Sequence, residues 1–72
     1  MTNGTLGARI RAMREERNLT QQQLASKADL TTSTVQRIER GGAVLRISLI
    51  QIARALGTTA DKLVLEEKTD GN

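Results

Sequence analysis

Apolar residues recur every three or four positions along most of the chain, which is the spacing that places them on one face of a helix. The first such stripe consists of Leu6, Ile10 and Met13, and it predicts a helix that ends near Arg17. Asn18 follows, and asparagine tolerates the left-handed backbone conformation in which helices often terminate. The pattern therefore predicts one amphipathic helix over residues 6–17.

A second helix is predicted to begin after Thr20. Gln23 lies three residues further on, which is the spacing of a capping box. The residues expected to point inward are Leu24, Ala25 and Ala28. Asp29 then occupies the turn, where it tolerates a positive φ better than most residues other than glycine, at some cost.

A third helix is predicted to follow the turn, with Thr31 as its N-cap. It buries Val35 and Ile38 and stops at the glycine pair 41–42. A fourth helix is predicted over residues 46–56, and its inward positions are Leu49, Ile52, Ala53 and Leu56. Gly57 closes it, and Thr59 caps a short fifth helix that carries Leu63 and Val64.

Five helices joined by short connections predict a compact all-α domain. The expected organisation is a flexible N-terminal arm over residues 1–5, the helical domain over residues 6–65 and a frayed acidic tail over residues 66–72. The chain contains no Cys, His, Phe, Trp, Tyr or Pro. Disulfide and metal staples are therefore excluded, and the core must consist of aliphatic side chains. We predict no cofactor and no catalytic residue, because no set of side chains meets the geometric needs of an active site.

The charge is distributed unevenly. Residues 1–65 contain ten Lys and Arg against five Asp and Glu, a net charge of +5, whereas residues 66–72 carry a net charge of −2. A basic domain suits a polyanionic partner, although a solvated and mildly basic surface would have the same composition. No stretch has the length of a membrane span and no signal peptide is visible, so a cytoplasmic protein is expected.

The third helix has a polar face opposite its buried side. This face consists of Thr32, Ser33, Gln36, Arg37 and Arg40. All five side chains donate hydrogen bonds and none is acidic, as in a helix that contacts base edges in the major groove of DNA. Arg37 has the fork that pairs with guanine, and Gln36 has the amide that pairs with adenine. The alternative is an ordinary solvated helix face.

Residues 6–65 resemble the lambda-repressor-like helix-turn-helix domain of the Xre/Cro family. The stretches that carry the resemblance are LGARIRAMREERNLTQQQLASKA, TTSTVQRIERG and IQIARALGTTADKL. The resemblance implies that helices two and three form the helix-turn-helix, with base contacts from Thr32, Ser33, Gln36 and Arg37. The DNA backbone contacts that it implies are Gln21, Thr31, Arg40, Gly41, Gly42 and Arg46. It also implies a structural ion pair between Arg14 and Glu39.

The chain departs from the family pattern at two places. Asp29 stands where the family usually has glycine, and the loop after Gly41 lacks the common proline and the common basic residues. Fewer phosphate contacts are therefore expected in this loop. This leaves a second function open, a protein–protein interaction module such as an antitoxin-like or adaptor protein.

The leading interpretation is sequence-specific binding of double-stranded DNA by a transcriptional regulator, most simply a repressor. A homodimer on a palindromic operator is expected, because two recognition helices then lie about 34 Å apart, one turn of DNA. The candidate interface consists of apolar residues expected at the surface: Val44, Leu45, Ile47, Ile50, Val64 and Leu65. The alternative for Ile47 is that it precedes the fourth helix and folds into the core. No small-molecule ligand is inferred.

Overall fold

The computed structural model describes the backbone of residues 5–69 and the side chains of residues 5–64. Over this range the chain forms five α-helices: α1 (Leu6–Glu16), α2 (Gln21–Ala28), α3 (Thr32–Glu39), α4 (Arg46–Ala55) and α5 (Ala60–Thr69). The prediction of an all-α, five-helix domain is confirmed. Residues 1–4 of the predicted arm and 70–72 of the predicted tail lie outside the described residues, as do the side chains of residues 65–69.

Threonine hydroxyls begin four of the helices in this range. The Oγ1 atoms that accept a hydrogen bond from the backbone N–H three residues later belong to Thr5, Thr20, Thr31 and Thr59. At Thr20 the capping box is complete, because the Oε1 of Gln23 accepts from the backbone N–H of Thr20 at 2.8 Å. The predicted caps at Thr20, Thr31 and Thr59 are therefore confirmed. Each satisfies one of the N–H groups that the first turn of a helix leaves unpaired.

The helix ends also follow the sequence signals. Asn18 has a φ of 57° and Asp29 a φ of 62°, so both adopt the predicted left-handed conformation. Helices α1 and α4 each end one residue earlier than expected, because Arg17 and Leu56 serve as C-caps. Short connections of this kind hold successive helices at fixed angles.

The core lies where the five helices meet. Its buried apolar residues are Ile10, Leu24, Ala25, Ala28, Val35, Ile38, Leu49, Ile52, Ala53, Leu56, Ala60 and Leu63. Helix α2 packs against both α3 and α4, while α1 packs against α3 and α5. The predicted inward positions of α2, α3 and α4 are all in this set. The α2–α3 pair is thus supported from behind by α1 and α4.

Helix α1 approaches α3 closely at Gly7, which is buried. A Cβ on this residue would overlap the carbonyl oxygen of Ile38 and lie 2.9 Å from that of Glu39. The absence of a side chain at Gly7 therefore lets α1 pack against the last turn of α3. No role was predicted for Gly7, although a glycine inside an amphipathic helix is a signal of close packing.

Among the described residues, no helix is long and apolar enough to cross a membrane. The same part of the chain contains no group of three or more His, Cys, Asp or Glu side chains that could hold a metal ion.

Candidate nucleic-acid interface

The helix-turn-helix unit is formed by α2, the turn at Asp29 and α3. Ala25 and Ala28 of α2 are buried in the core that also contains Val35 and Ile38 of α3. In the turn, the backbone N–H of Asp29 donates to the carbonyl oxygen of Ser26 at 3.2 Å. The next N–H, that of Leu30, donates to the carbonyl oxygen of Ala25 at 2.8 Å. Two hydrogen bonds thus fix the direction in which the chain leaves α2, and with it the angle of α3.

The outer face of α3 is formed by Thr32, Ser33, Gln36 and Arg37, and we refer to it by that name. Ser33 and Arg37 are exposed, while Thr32 and Gln36 are half-buried. Within the described part of the chain, none of these four side chains makes a hydrogen bond. The outer face therefore presents hydroxyl, amide and guanidinium groups to solvent, and these are the groups that contact base edges in DNA.

Thr31 lies at the N-terminal end of the outer face. Its Oγ1 accepts from the backbone N–H of Thr34 at 3.2 Å and lies 2.9 Å from the Oγ1 of Thr34. The hydroxyl that was expected to contact the DNA backbone is thus also the cap of α3. A phosphate bound here would meet the N-terminus of the helix, where the helix dipole favours negative charge.

The loop after α3 differs from the expectation in one respect. The amides of Gly41 and Gly42 were expected to bind phosphate. In the structure the N–H of Gly41 donates to the carbonyl oxygen of Ile38 at 3.0 Å. The N–H of Gly42 donates to the carbonyl oxygen of Arg37 at 2.9 Å. Both amides therefore complete the end of α3. The groups in this loop that can approach a phosphate are the exposed side chains of Arg40 and Arg46.

Glu39 is the centre of a buried polar cluster, the Glu39 joint, which consists of Arg14, Leu19, Gln21 and Glu39. The guanidinium of Arg14 pairs with both carboxylate oxygens, with Nε 2.7 Å from Oε2 and Nη2 3.1 Å from Oε1. Its Nη1 donates to the carbonyl oxygen of Leu19 at 2.7 Å. The structure thus brings Arg14 and Glu39 together and ties α1 to α3 and to the α1–α2 connection.

The Glu39 joint is largely shielded from water. The side chains of Arg14 and Glu39 are 10% and 4% exposed. The pKa of Arg14 is raised above its ordinary value, chiefly by the hydrogen bond to Glu39, and burial opposes this shift. Arg14 therefore carries its charge at every pH at which the protein would be studied. The stability that this charge contributes is lost only when the pH rises through the raised pKa.

Gln21 belongs to the same cluster. Its Nε2 donates to Oε1 of Glu39 at 3.1 Å, so the first residue of α2 is tied to the last residue of α3. An amide nitrogen carries two N–H groups, and the second can donate to a phosphate. Gln21 was expected to contact the DNA backbone, and its hydrogen bond to Glu39 was not predicted.

Exposed apolar residues are concentrated at the start of α4. Leu45 is 69% exposed and Ile47 is 61% exposed. Val44, Ile50 and Val64 are partly buried and pack against the core, and the side chain of Leu65 lies outside the described residues. The alternative that Ile47 folds into the core is wrong. Helix α4 begins at Arg46 and directs Leu49 and Ile52 inward, which leaves Ile47 on the opposite side.

The chain is similar to known proteins in both sequence and structure. The helix-turn-helix family model matches residues 10–63. An immunity repressor protein of Bacillus phage phi105 is 45% identical over 64 residues, which cover 88% of this chain and 44% of the phage protein. The chain therefore spans less than half the length of this relative. Two crystal structures of the clp gene regulator ClgR from Corynebacterium glutamicum are similar to it, with TM-scores of 0.82 and 0.79.

Both ClgR chains are 24% identical to this chain and cover 97% of it, and the similarity extends over 76% and 92% of the ClgR chains. At this level of identity the likeness concerns the fold. It extends to all five helices, because nearly the whole chain is covered.

Proposed function

Because the chain belongs to the lambda-repressor-like helix-turn-helix family, we propose that it binds double-stranded DNA in a sequence-specific manner and acts as a transcriptional repressor. The observation that carries the proposal is the outer face of α3. Its side chains donate hydrogen bonds, none is acidic, and the helix is held at its C-terminal end by the buried Glu39 joint. The phage immunity repressor that the chain resembles is consistent with this role.

In this proposal α3 lies in the major groove. Thr32, Ser33, Gln36 and Arg37 contact base edges, with Arg37 bidentate to a guanine. Phosphates are contacted on both sides of the groove. On one side the contacts come from the second amide N–H of Gln21 and from the N-terminal end of α3 at Thr31. On the other side they come from the loop cations Arg40 and Arg46. The phosphate contacts fix the register of the helix, and the base contacts supply sequence preference.

We further propose that the chain acts as a homodimer on a palindromic operator. One short helix covers only a few base pairs, and a symmetric pair places two such helices one DNA turn apart. The exposed residues Leu45 and Ile47 are the centre of the candidate interface, with Val44, Ile50, Val64 and Leu65 around them. We also propose that the protein acts in the cytoplasm, without a cofactor and without catalysis.

A protein–protein interaction module remains the second candidate. The specific observation in its favour is the loop after α3, in which both glycine amides are occupied and only Arg40 and Arg46 supply positive charge. The two candidates differ in their response to salt. A DNA-binding protein loses about one log unit of affinity per log unit of salt for each phosphate contact. Weak binding to duplex that does not respond to salt would favour the protein partner.

Selection from a random pool of duplexes tests the proposal directly. We expect enrichment of one sequence with two-fold symmetry. An asymmetric sequence would contradict the dimer, and no enrichment would contradict sequence-specific binding.

The Arg37→Ala variant tests the role assigned to α3. We expect it to weaken preference at one base pair per half-site by roughly 1–3 kcal/mol. The matched control is Arg54→Ala, which removes the same charge from the last turn of α4 and should keep the preference. A uniform loss of affinity for every sequence would show that Arg37 contacts a phosphate instead.

A further inference from the structure

Arg37 is covered on one side by the loop that follows its own helix. The backbone N–H of Gly42 donates to the carbonyl oxygen of Arg37 at 2.9 Å. A Cβ placed on Gly42 would lie 2.6 Å from the Cγ of Arg37 and 3.4 Å from its Cδ. The aliphatic stem of this arginine therefore occupies the space that a side chain at position 42 would need.

The two neighbouring glycines of this loop serve different purposes. Gly41 has a φ of +98°, and a Cβ added to it would meet nothing within 4 Å. Glycine is needed there for its backbone conformation. Gly42 has no left-handed backbone, and glycine is needed there because the stem and the carbonyl oxygen of Arg37 lie so close. Gly42 is thus matched to one particular side chain.

We infer that Gly42 is a positioning residue for base recognition, an inference that rests on the proposed function. Its bare Cα provides a surface along which the stem of Arg37 lies, and this contact fixes the direction in which the guanidinium leaves α3. A long arginine side chain must be ordered before it can form a bidentate contact, and a side chain held in place beforehand loses less freedom on binding. Gly42 therefore sets base preference without touching DNA.

The test compares five proteins: the wild type, Gly42→Ala, Arg37→Ala, the double variant and Gly41→Ala as the matched control. Each is melted, and its preference at every operator position is measured on the selected duplex. We expect Arg37→Ala to reduce preference at one base pair per half-site by roughly 5- to 150-fold. Gly42→Ala should reduce preference at the same base pair by about fivefold, and by no more than Arg37→Ala does, because the added methyl group displaces the stem. In the Arg37→Ala background it should cause no further loss of preference.

Gly41→Ala separates this effect from a general disturbance of the loop. It strains the backbone one residue away without approaching Arg37, so it should lower the melting temperature and keep base preference. The inference is overturned if Gly42→Ala retains the wild-type preference at that base pair, or if Gly41→Ala alters it equally. It is also overturned if Arg37→Ala changes no base preference. A wild type without any preference would instead overturn the proposed function.

The carbonyl oxygen of Arg37 also lies 2.9 Å from the added Cβ, so Gly42→Ala is able to unfold the chain. In that event the wild type provides the test by NMR. Nuclear Overhauser contacts between the Hα protons of Gly42 and the Hγ protons of Arg37 should be present in the free protein and persist on the operator. Loss of these contacts in the complex would overturn the inference.

Discussion

Glu39 of the Glu39 joint and Arg37 of the outer face lie on opposite sides of one short helix, and their charged groups are used in opposite ways. The carboxylate of Glu39 accepts from Arg14 and from Gln21 and is almost completely buried. Arg37, two residues earlier, is exposed. Two residues correspond to about 200° around a helix, so the charges of Arg37 and Glu39 reach opposite sides. Buried polarity fixes how the helices are arranged, and exposed polarity remains free to meet a ligand.

The Glu39 joint and the outer face also differ in the free energy that is lost when one charged group is removed. A buried ion pair adds little net stability relative to well-packed apolar residues, because both charges must leave water. Removal of one partner alone is expensive, since the other charge stays buried. The same removal on the outer face costs little, because water solvates what remains. Substitutions should therefore divide into those that change stability and those that change binding.

The largest effect is expected from Arg14→Ala. It leaves Glu39 buried with Gln21 as its remaining partner in the joint, and the free energy of unfolding should fall by about 3–5 kcal/mol. For a chain of this length the melting temperature then falls by roughly 12 °C or more. Arg37→Ala should change stability by about 0.5 kcal/mol or less. Thermal melts followed by circular dichroism compare the two, and equal, small shifts would contradict the assignment of the joint.

The double variant Arg14→Met with Glu39→Leu is the control for this prediction. It removes both charges and replaces them with apolar side chains. The loss of stability should be clearly smaller than for Arg14→Ala alone, although the Nε2 of Gln21 loses its acceptor. A loss as large as that of the single variant would mean that packing, and not the unpaired charge, determines the effect.

Gly7→Ala should have the second-largest effect. Its Cβ would overlap the carbonyl oxygen of Ile38, and backbone atoms cannot move aside cheaply. We expect destabilisation by about 1–3 kcal/mol, measured by denaturant unfolding. Alanine at an unhindered helical position would be stabilising instead. The sign of the change in stability therefore decides whether the close approach at Gly7 is real. Base preference on the outer face should persist as long as the protein is folded, which would separate the two sides of α3 again.

The smallest effect is expected at the turn between the two helices of the motif. Asp29 is held at a φ of 62°, which costs an L-residue free energy that glycine avoids. Asp29→Gly should raise the free energy of unfolding by about 0.5 kcal/mol, because the greater freedom of glycine in the unfolded chain offsets part of the gain. The melting temperature should rise by a few degrees, and Asp29→Ala should lower it. A fall with glycine would show that the aspartate side chain itself stabilises the turn.

Much of the fold could be predicted because its signals are local. A threonine cap, a left-handed asparagine and an apolar stripe each act within one or two turns of helix. The threonine caps, the turn at Asp29 and the buried positions of α3 follow from neighbours in the chain. The division of α3 into a buried and a polar side follows from the helical repeat alone. The pairing of Arg14 with Glu39 came from the family resemblance, since 25 residues separate them.

The tertiary structure decided what depends on the approach of distant segments. It placed Gly7 under the end of α3 and directed an amide N–H of Gln21 to Glu39. These contacts depend on the angle and distance between helices, and the periodicity of a single helix does not predict either. The contact between Gly42 and the stem of Arg37 was not predictable either, although only five residues separate them, because it depends on the path of the loop after α3. The sequence by itself determined which side of α3 is free, and only the packed structure determined how that side is held.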